Sequence, residues 1–209
     1  MQEIIFTIGH STHPGQHFIA LLRQHNIEAI CDVRSTPYSR VNPQFDRDKL
    51  KKSLRSYGIR YVFLGKELGA RSEDPACYKN GKVQYDRLAC TDLFRQGLDR
   101  ILEGRKKFRL ALMCAEKEPL ECHRAILVAR HLTTPGLEVQ HIHADGRIEA
   151  HADALSRLAR ILHLREDEHD LFRSRGDLLA EAYRLQGERI AYDSRAIPTN
   201  TSSVRSAAG

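Results

Sequence analysis

The sequence lacks a long apolar run and an amino terminus of the secretory kind. A helix that crosses a membrane needs roughly 20 consecutive apolar residues, and no stretch of this 209-residue chain approaches that length. The first residues also lack the order of a signal peptide, in which basic residues precede an apolar stretch. We therefore expect a cytoplasmic protein that makes no contact with a membrane.

Cysteine is sparse, and its pattern argues against two common kinds of small cysteine-rich fold. The chain has five cysteines, an odd number, without paired C-x-x-C spacing. Disulfide frameworks use an even number of cysteines, and zinc ribbons use two such pairs. We expect reduced thiols at all five positions, which are Cys31, Cys77, Cys90, Cys114 and Cys122.

The balance of charge is basic. Lysine and arginine outnumber aspartate and glutamate by 33 to 27, which gives a formal net charge of +6. An excess of positive charge raises the local concentration of anionic ligands. We therefore expect an anionic partner, either nucleic acid or a phosphorylated small molecule, whereas the composition identifies no cofactor and no oligomeric state.

Apolar runs typical of buried strands alternate with segments of helical periodicity. We predict strands over residues 4–8, 29–33, 61–64, 108–113 and 137–142, with helices between them. Alternation of this kind favours a parallel sheet with right-handed crossovers. The predicted fold class is therefore α/β, with a single domain over residues 1–164 in which a mainly parallel five-stranded sheet is flanked by helices.

The segments outside the predicted strands predict a long loop, two helices and a carboxyl-terminal extension. Residues 67–83 contain Gly69, Pro75 and Gly81 and predict a long loop, a kind of segment that often carries function. Residues 85–103 predict one helix, and residues 119–132 predict another. Residues 165–209 predict a charged helical extension that ends in a disordered polar tail from residue 193.

Polar side chains follow the ends of several predicted strands. In open parallel sheets, ligands bind beyond the carboxyl ends of the strands. A pocket at this edge would be built from Asp32, Arg34, Cys114, Glu116, His123 and Arg124, with His10 and Ser11 beside them. The last strand ends in His141 and His143, which we expect at the rim of the sheet.

Asp32 and Arg34 are two residues apart in a strand and therefore share one face of it. A carboxylate and a guanidinium in that position either form a structural ion pair or bind a substrate together. Ser39 and Arg40 lie in the loop after the same strand. We count Ser11, Arg34, Ser39 and Arg40 as candidates for substrate or anion binding.

The segment from Cys114 to Arg124 carries the strongest chemical pattern. Cations near a helix amino terminus oppose the helix dipole, and an anion bound there by Arg124 and free amides would remove that conflict. Cys114 next to positive charge is a candidate nucleophile with His123 as proton carrier. Glu116 is a candidate general acid or base, as is His10.

A metal is the alternative for the same segment. Cys114, Cys122 and His123 offer ligand types that zinc accepts. Against this, Cys122 lies on the apolar stripe of the predicted helix, where a thiol is commonly a small core residue. We therefore assign no metal from the sequence and keep these three residues as weak candidates.

These motifs occur together and in order, and their joint pattern resembles the domain of unknown function (DUF) family 488 over about residues 4–150. The resemblance is carried by Thr7-Ile8-Gly9-His10-Ser11, Asp32-Val33-Arg34, Pro37-Tyr38-Ser39-Arg40, Leu68-Gly69, Cys114-Ala115-Glu116 and Cys122-His123-Arg124. It implies a compact α/β domain with these residues as the presumed site. It implies no particular reaction.

Our first functional interpretation is an enzyme that acts on a phosphate-bearing substrate, a nucleotide or nucleic acid. Arg34, Arg40 and Arg124 would grip the substrate, while the acid, base or nucleophile would come from Asp32, Glu116 and Cys114. One alternative is rhodanese-like sulfur transfer through Cys114, although the following segment lacks the glycine-bearing loop of such enzymes. The other is a non-catalytic nucleic-acid-binding module whose motif residues form a structural ion-pair network. Two basic clusters, residues 47–60 and 105–109, would bind a phosphate backbone if they flank the mouth of the pocket.

Overall fold

A computed structural model describes residues 3–164 and 174–196. Its strands are β1 (Glu3–Gly9), β2 (Ala29–Asp32), β3 (Arg60–Phe63), β4 (Tyr78–Lys79), β5 (Lys82–Val83), β6 (Leu110–Cys114), β7 (Leu137–Ile142) and β8 (Ile148–Ala150). Its α-helices are α1 (Gly15–Gln24), α2 (Arg47–Ser56), α3 (Gly65–Leu68), α4 (Tyr85–Ala89), α5 (Asp92–Arg105), α6 (Arg130–Leu132), α7 (His151–Ile161) and α8 (Arg175–Ile190).

The main sheet has the strand order β3-β2-β6-β1-β7-β8. Its first five strands are parallel, and β8 pairs antiparallel with β7. The predicted α/β class is confirmed, but the sheet has six strands instead of five. The additional strand forms because a turn at Gly146, where φ is 82°, returns the chain onto β7.

Helices cover both faces of the sheet, and the central strand β6 shows how its side chains are distributed. Leu112 and Cys114 pack in one core cluster with α5 and the segment after residue 124, whereas Met113 packs in the other with α1 and α2. Successive side chains of a strand point to opposite faces. Cys114 therefore lies on the α5 face of the sheet, while Asp32, which follows Cys31 of that same cluster, lies on the α1 and α2 face.

Two segments differ from their predicted structure. The predicted long loop contains a hairpin, β4 and β5, whose turn at Asn80-Gly81 has φ values of 50° and 74°. An Asn-Gly pair is a strong signal for such a turn because both residues tolerate positive φ. The predicted helix over residues 85–103 is divided into α4 and α5, because Thr91 accepts a hydrogen bond from the Phe94 N–H at 3.2 Å and caps a new helix.

The predicted helix over residues 119–132 consists of three short pieces. A 3-10 turn at Pro119–Glu121 is followed by a π-helix at Arg124–Ala129 and then by α6. All six residues of the π-helix are buried. A π-helix is rare and frequently lies at functional sites, and this one begins directly after His123.

The described part of the carboxyl-terminal extension packs against the domain. Ser174 and Asp177 form a capping box at the start of α8, and Ala182 is buried against α7. The first residues of the predicted tail, 193–196, form a turn that is held by a hydrogen bond from the Ser194 N–H to the Gly81 carbonyl at 2.8 Å. The predicted segments 165–173 and 197–209 lie outside the described residues.

The helices of the described ranges 3–164 and 174–196 include none that is both long enough and apolar enough to cross a lipid bilayer.

A chain of buried polar side chains connects α8 to the sheet. His141 Nδ1 lies 2.7 Å from Thr7 Oγ1, its Nε2 lies 2.9 Å from His151 Nδ1, and His151 Nε2 lies 2.8 Å from the Tyr183 hydroxyl. The expectation of His141 at the rim is therefore wrong, because its side chain is buried on β7. Burial lowers the pKa of His151 to about 4 and that of His141 well below its usual value.

This chain predicts that the protein loses stability in mild acid. The pKa of His151 is lower in the folded than in the unfolded protein, so the unfolded state binds more protons between pH 6.5 and about 4. The free energy of unfolding should therefore decrease as the pH is lowered through that window. His151 should account for up to about 3 kcal/mol of this decrease. Urea unfolding of the wild type and His151→Gln at several pH values measures this slope.

The matched control is His17→Gln, because His17 is exposed. It should keep the wild-type slope, whereas His151→Gln should have a shallower slope. Equal slopes in all three proteins would contradict the assignment of the acid sensitivity to the buried chain.

Candidate functional site

The main-chain pairing of the central strands continues past their carboxyl ends. The His10 N–H donates to the Cys114 carbonyl and the Ser11 N–H to the Ala115 carbonyl, both at 2.9 Å. The Val33 N–H donates to the Met113 carbonyl at 3.0 Å. The loops after β1, β2 and β6 are therefore fixed against one another at the edge where the sequence predicts a pocket.

Gly9 allows the closest approach within these loops. A Cβ atom at this position would lie 1.9 Å from the carbonyl oxygen of Glu116, a distance that no side chain tolerates. The same carbonyl accepts a hydrogen bond from Arg124 Nη1 at 2.7 Å. Glycine at this position therefore lets the loop after β6 cross the end of β1.

Asp32 and Arg34 form a buried, bidentate ion pair. Arg34 Nε donates to Asp32 Oδ1 at 2.9 Å and its Nη2 donates to Oδ2 at 2.7 Å, while the Tyr61 hydroxyl donates to Oδ2 at 2.7 Å. Asp32 is 0 % exposed and Arg34 is 5 % exposed. These contacts support the structural interpretation of the pair and leave the Asp32 carboxylate directed away from solvent.

His10 joins this ion pair. Its Nδ1 donates to the Ser11 carbonyl at 2.8 Å, and its Nε2 accepts a hydrogen bond from Arg34 Nη1 at 3.1 Å. Burial is the main reason that the pKa of His10 is lowered to about 4, and the charge of Arg34 lowers it further. His10 is therefore a neutral hydrogen-bonding residue near pH 7.

Arg124 is fully buried and binds main-chain oxygens. Its Nη1 and Nη2 donate to the carbonyls of Glu116 and Lys117 at 2.7 and 3.2 Å. We expected this arginine to bind an anion at a helix terminus. Its contacts instead assign it to holding the loop after β6, because two of its three guanidinium nitrogens donate to carbonyl oxygens, while Nε has no hydrogen-bond partner among the described residues.

Four side chains converge on the other face of the sheet, and we refer to Cys114, Glu116, Cys122 and His123 as the cysteine cluster. One ligand atom from each lies within 4.8 Å of all the others. His123 Nδ1 is 3.7 Å from Cys114 Sγ and 3.9 Å from Cys122 Sγ. Cys122 Sγ lies 2.9 Å from Glu116 Oε2. Cys122 is thus a buried core residue, as expected, and also a member of the cluster.

The charges of the cluster are strongly coupled. Burial raises the pKa of Cys114 well above its usual value. Burial also opposes ionisation of Cys122, but the hydrogen bond from Cys114 and the charge of Arg124 hold the pKa of Cys122 well below its usual value. Partial burial of its carboxyl group beside Cys122, together with the charge of that neighbour, raises the pKa of Glu116, although the residue as a whole is exposed. The pKa values of the two thiols therefore shift in opposite directions, and Cys122 is the more easily ionised of the two.

Two cavities open at this edge of the sheet. The first, about 260 Å³, is the cysteine cavity, lined by Arg34, Arg71, Tyr85, Cys114, Glu116, His123, Ile190 and Tyr192, among others. The second, about 380 Å³, is the hydroxyl cavity, lined by His10, Ser11, Thr12, Arg34, Thr36, Tyr38, Ser39, Asn42, Glu116 and Lys117, among others. Arg34 and Glu116 contribute to both, so the two cavities are neighbours.

The predicted site residues therefore divide into two groups. Asp32 and His10 belong to the ion pair on the α1 and α2 face, whereas the cysteine cluster lies on the opposite face. Ser11 and Ser39 line the hydroxyl cavity, and Arg40 is exposed beside it without lining either cavity of the described chain. Lys117, Arg71 and Tyr192 also line these cavities, and no pattern in the sequence indicates them.

The two basic clusters do not both lie at the carboxyl edge of the sheet, where the pocket is. Arg60 begins β3, and Arg109 directly precedes β6 and accepts a main-chain hydrogen bond from the Glu28 N–H at 2.7 Å. Both residues are thus at the amino ends of parallel strands. The pocket lies at the carboxyl ends, on the opposite edge of the sheet.

The buried ion pair predicts a large loss of stability for Asp32→Asn. Removing one partner leaves the Arg34 guanidinium without its charge partner, which typically costs about 3–5 kcal/mol. Chemical denaturation measures the change in the free energy of unfolding. The control is Asp92→Asn, which breaks an exposed pair with Arg95 and should cost less than about 1 kcal/mol. Similar values for the two variants would contradict the structural role of Asp32.

Comparison with protein families identifies one match. The model of the family described as "Domain of unknown function DUF488" matches residues 15–131, which is more than half of the chain. Searches of curated proteins and of solved structures found no significant match. The matched region contains the Asp32–Arg34 pair and the whole cysteine cluster. The chain therefore belongs to the DUF488 family.

Proposed function

We propose that this protein is an enzyme that acts on a phosphate-bearing substrate, a nucleotide or a nucleic-acid strand, at the carboxyl edge of its sheet. The observation that carries the proposal is the pair of neighbouring cavities. The two cavities share Arg34, Thr36 and Glu116. The first adds the thiol of Cys114 and the imidazole of His123, and the second adds further hydroxyl groups and Lys117. Such a division suits a reaction centre beside a binding subsite.

The hydroxyl cavity has the chemistry to bind a phosphate group. Ser11, Thr12, Thr36 and Ser39 supply hydroxyl groups, and Lys117 supplies a positive charge. Ser39 Oγ already accepts a hydrogen bond from the Asn42 N–H at 3.0 Å, so its own hydroxyl proton points elsewhere and is available as a donor. The net charge of +6 favours the approach of an anionic substrate.

Tyr38 adds a surface that suits a nucleobase. Its side chain is 59 % exposed, although it lines the hydroxyl cavity. Aromatic rings in such positions stack on bases without selecting a sequence. A phosphate at Lys117 and a base on Tyr38 would together bind one nucleotide, either free or at the end of a single strand.

The cysteine cavity supplies acid–base groups. The raised pKa of Glu116 keeps a proton on this carboxyl group closer to neutral pH than on an ordinary glutamate, as a general acid requires. Cys114 is 3 % exposed and its pKa is raised by burial, which disfavours it as a free thiolate that carries sulfur. The geometry therefore supports acid–base catalysis over rhodanese-like sulfur transfer.

Binding through the hydroxyl cavity predicts a clear difference between two lysines. Lys117→Ala should weaken binding of a 5′-phosphorylated trinucleotide about tenfold, because one phosphate contact is lost. Lys51→Ala is the control, since Lys51 is exposed on α2 and outside both cavities. Calorimetric titration at fixed salt measures both affinities. Weakening by Lys51→Ala alone would favour the non-catalytic nucleic-acid-binding module.

Catalysis predicts a loss of turnover in Glu116→Gln. Mass spectrometry can follow a mixture of nucleotides and short oligonucleotides during incubation with the protein. The variant should slow any conversion about 10²-fold or more, as expected for loss of a general acid. Glu103→Gln, at an exposed position of α5, should retain the wild-type rate. Full activity in Glu116→Gln would remove Glu116 from the mechanism.

A further inference from the structure

The cysteine cluster gathers four metal-binding atoms from three consecutive pieces of chain: the end of β6, the loop after it, and the start of the π-helix. We propose that this cluster is a zinc site, in which Cys114 Sγ, Cys122 Sγ and His123 Nδ1 are the permanent ligands. Glu116 is the fourth ligand and faces solvent. Metal binding is tested with zinc alone, so its outcome is separate from that of the proposed enzymatic activity.

The distances fit a tetrahedral ion with small adjustments. With Zn–S near 2.3 Å and Zn–N near 2.0–2.1 Å, sulfur and nitrogen ligands lie about 3.5 Å apart. The observed separations from His123 Nδ1 are 3.7 Å to Cys114 Sγ and 3.9 Å to Cys122 Sγ. Glu116 Oε2 lies nearer to Cys122 Sγ, at 2.9 Å, and would swing outward as the ion enters.

The surroundings orient the histidine ligand. His123 Nε2 lies 3.0 Å from the Val33 carbonyl oxygen, which can only accept, so Nε2 carries the proton. In the neutral ring, Nδ1 therefore presents its lone pair to the two sulfur atoms. Zinc-bound histidines usually have such a carbonyl or carboxylate partner on the other nitrogen, because it fixes the tautomer and the ring plane.

The surroundings also favour anionic sulfur. The Arg124 N–H donates to Cys122 Sγ at 3.4 Å, and the Arg124 guanidinium lies behind the loop after β6. Two buried thiolates beside a carboxylate would repel one another in the absence of a cation, because burial removes the water that stabilises charge. A divalent ion neutralises both thiolates. Among common metals, a set of two thiolates and an imidazole selects zinc or iron over magnesium or calcium.

The open side of the site faces the cysteine cavity. Cys114, Cys122 and His123 are buried, whereas Glu116 is exposed. Catalytic zinc sites keep three protein ligands and leave the fourth position to water or substrate, whereas structural sites are closed on all sides. Glu116 is thus the exchangeable ligand: a substrate that reaches the ion where the two cavities adjoin displaces this carboxyl group, which can then hold the proton required of the proposed general acid.

Metal content of the reduced, full-length protein tests the site. Inductively coupled plasma mass spectrometry should find about one zinc per chain in the wild type, and less than about a tenth in Cys122→Ser and in His123→Ala. Cys31→Ser is the matched control, because Cys31 is equally buried but outside the cluster. It should retain the zinc. Full zinc in Cys122→Ser, or zinc loss in Cys31→Ser alone, would overturn the proposal.

A measurement on the wild type keeps the test decisive if the variants fail to fold. Cobalt added to the metal-free wild type should give the intense visible bands of a tetrahedral ion and a thiolate-to-cobalt charge-transfer band in the ultraviolet. Zinc should then abolish both. The proposal is overturned if the reduced wild type contains no zinc and gives no cobalt bands. A Cys114–Cys122 disulfide in the native protein would also overturn it.

The assignment of Glu116 has its own test. Glu116→Gln should retain zinc at purification but release it to a chelator about tenfold faster than the wild type, because a charged ligand becomes a neutral one. Glu121→Gln, which changes another carboxylate of the cysteine cavity, should release zinc at the wild-type rate. Equal release rates in Glu116→Gln and the wild type would remove Glu116 from the ligand set.

Discussion

The main-chain hydrogen bonds that join β1 to β6 continue past the strand ends, and the whole candidate site depends on them. They hold the His10 and Ser11 amides against the carbonyls of Cys114 and Ala115. The approach is close enough that only glycine fits at position 9. The Arg124 guanidinium also donates hydrogen bonds to the Glu116 and Lys117 carbonyls of the loop after β6. This backbone geometry and the Arg124 guanidinium together set the direction of Glu116 and the place of the cysteine cluster.

Much of the fold follows from the sequence, because apolar periodicity reports burial directly. The five parallel strands and the flanking helices were predicted from it, and the α/β class is confirmed. The errors occur where local turn chemistry decides the structure. Asn80-Gly81 forms a hairpin inside a predicted loop, Thr91 divides a predicted helix, and Gly146 adds a sixth strand. Each of these signals occupies one or two residues and leaves no trace in a pattern of apolar positions.

The site was predictable in its members but not in its arrangement. The polar strand ends indicated Cys114, Glu116 and His123, and these three do line one cavity. The same pattern predicts Asp32 beside them, yet Asp32 lies on the other face of the sheet, which strand ends alone do not reveal. Helical spacing predicts Cys122 in the core, and Cys122 is indeed buried there, but for a different reason. It lies in extended backbone before a π-helix, with φ −136° and ψ 138°, so helical spacing does not apply to it.

Ile190 and Tyr192 form one side of the cysteine cavity. They belong to the end of α8 and the turn after it, which lie beyond the family match at residues 15–131. Tyr192 is held there by the guanidinium of Arg71, which lies 4.5 Å from the centre of its ring. The polar groups of this cavity and part of its boundary thus come from different segments of the chain. Exchanging only the carboxyl-terminal segment would change the shape of the cavity while the same cysteines, histidine and glutamate remained in place.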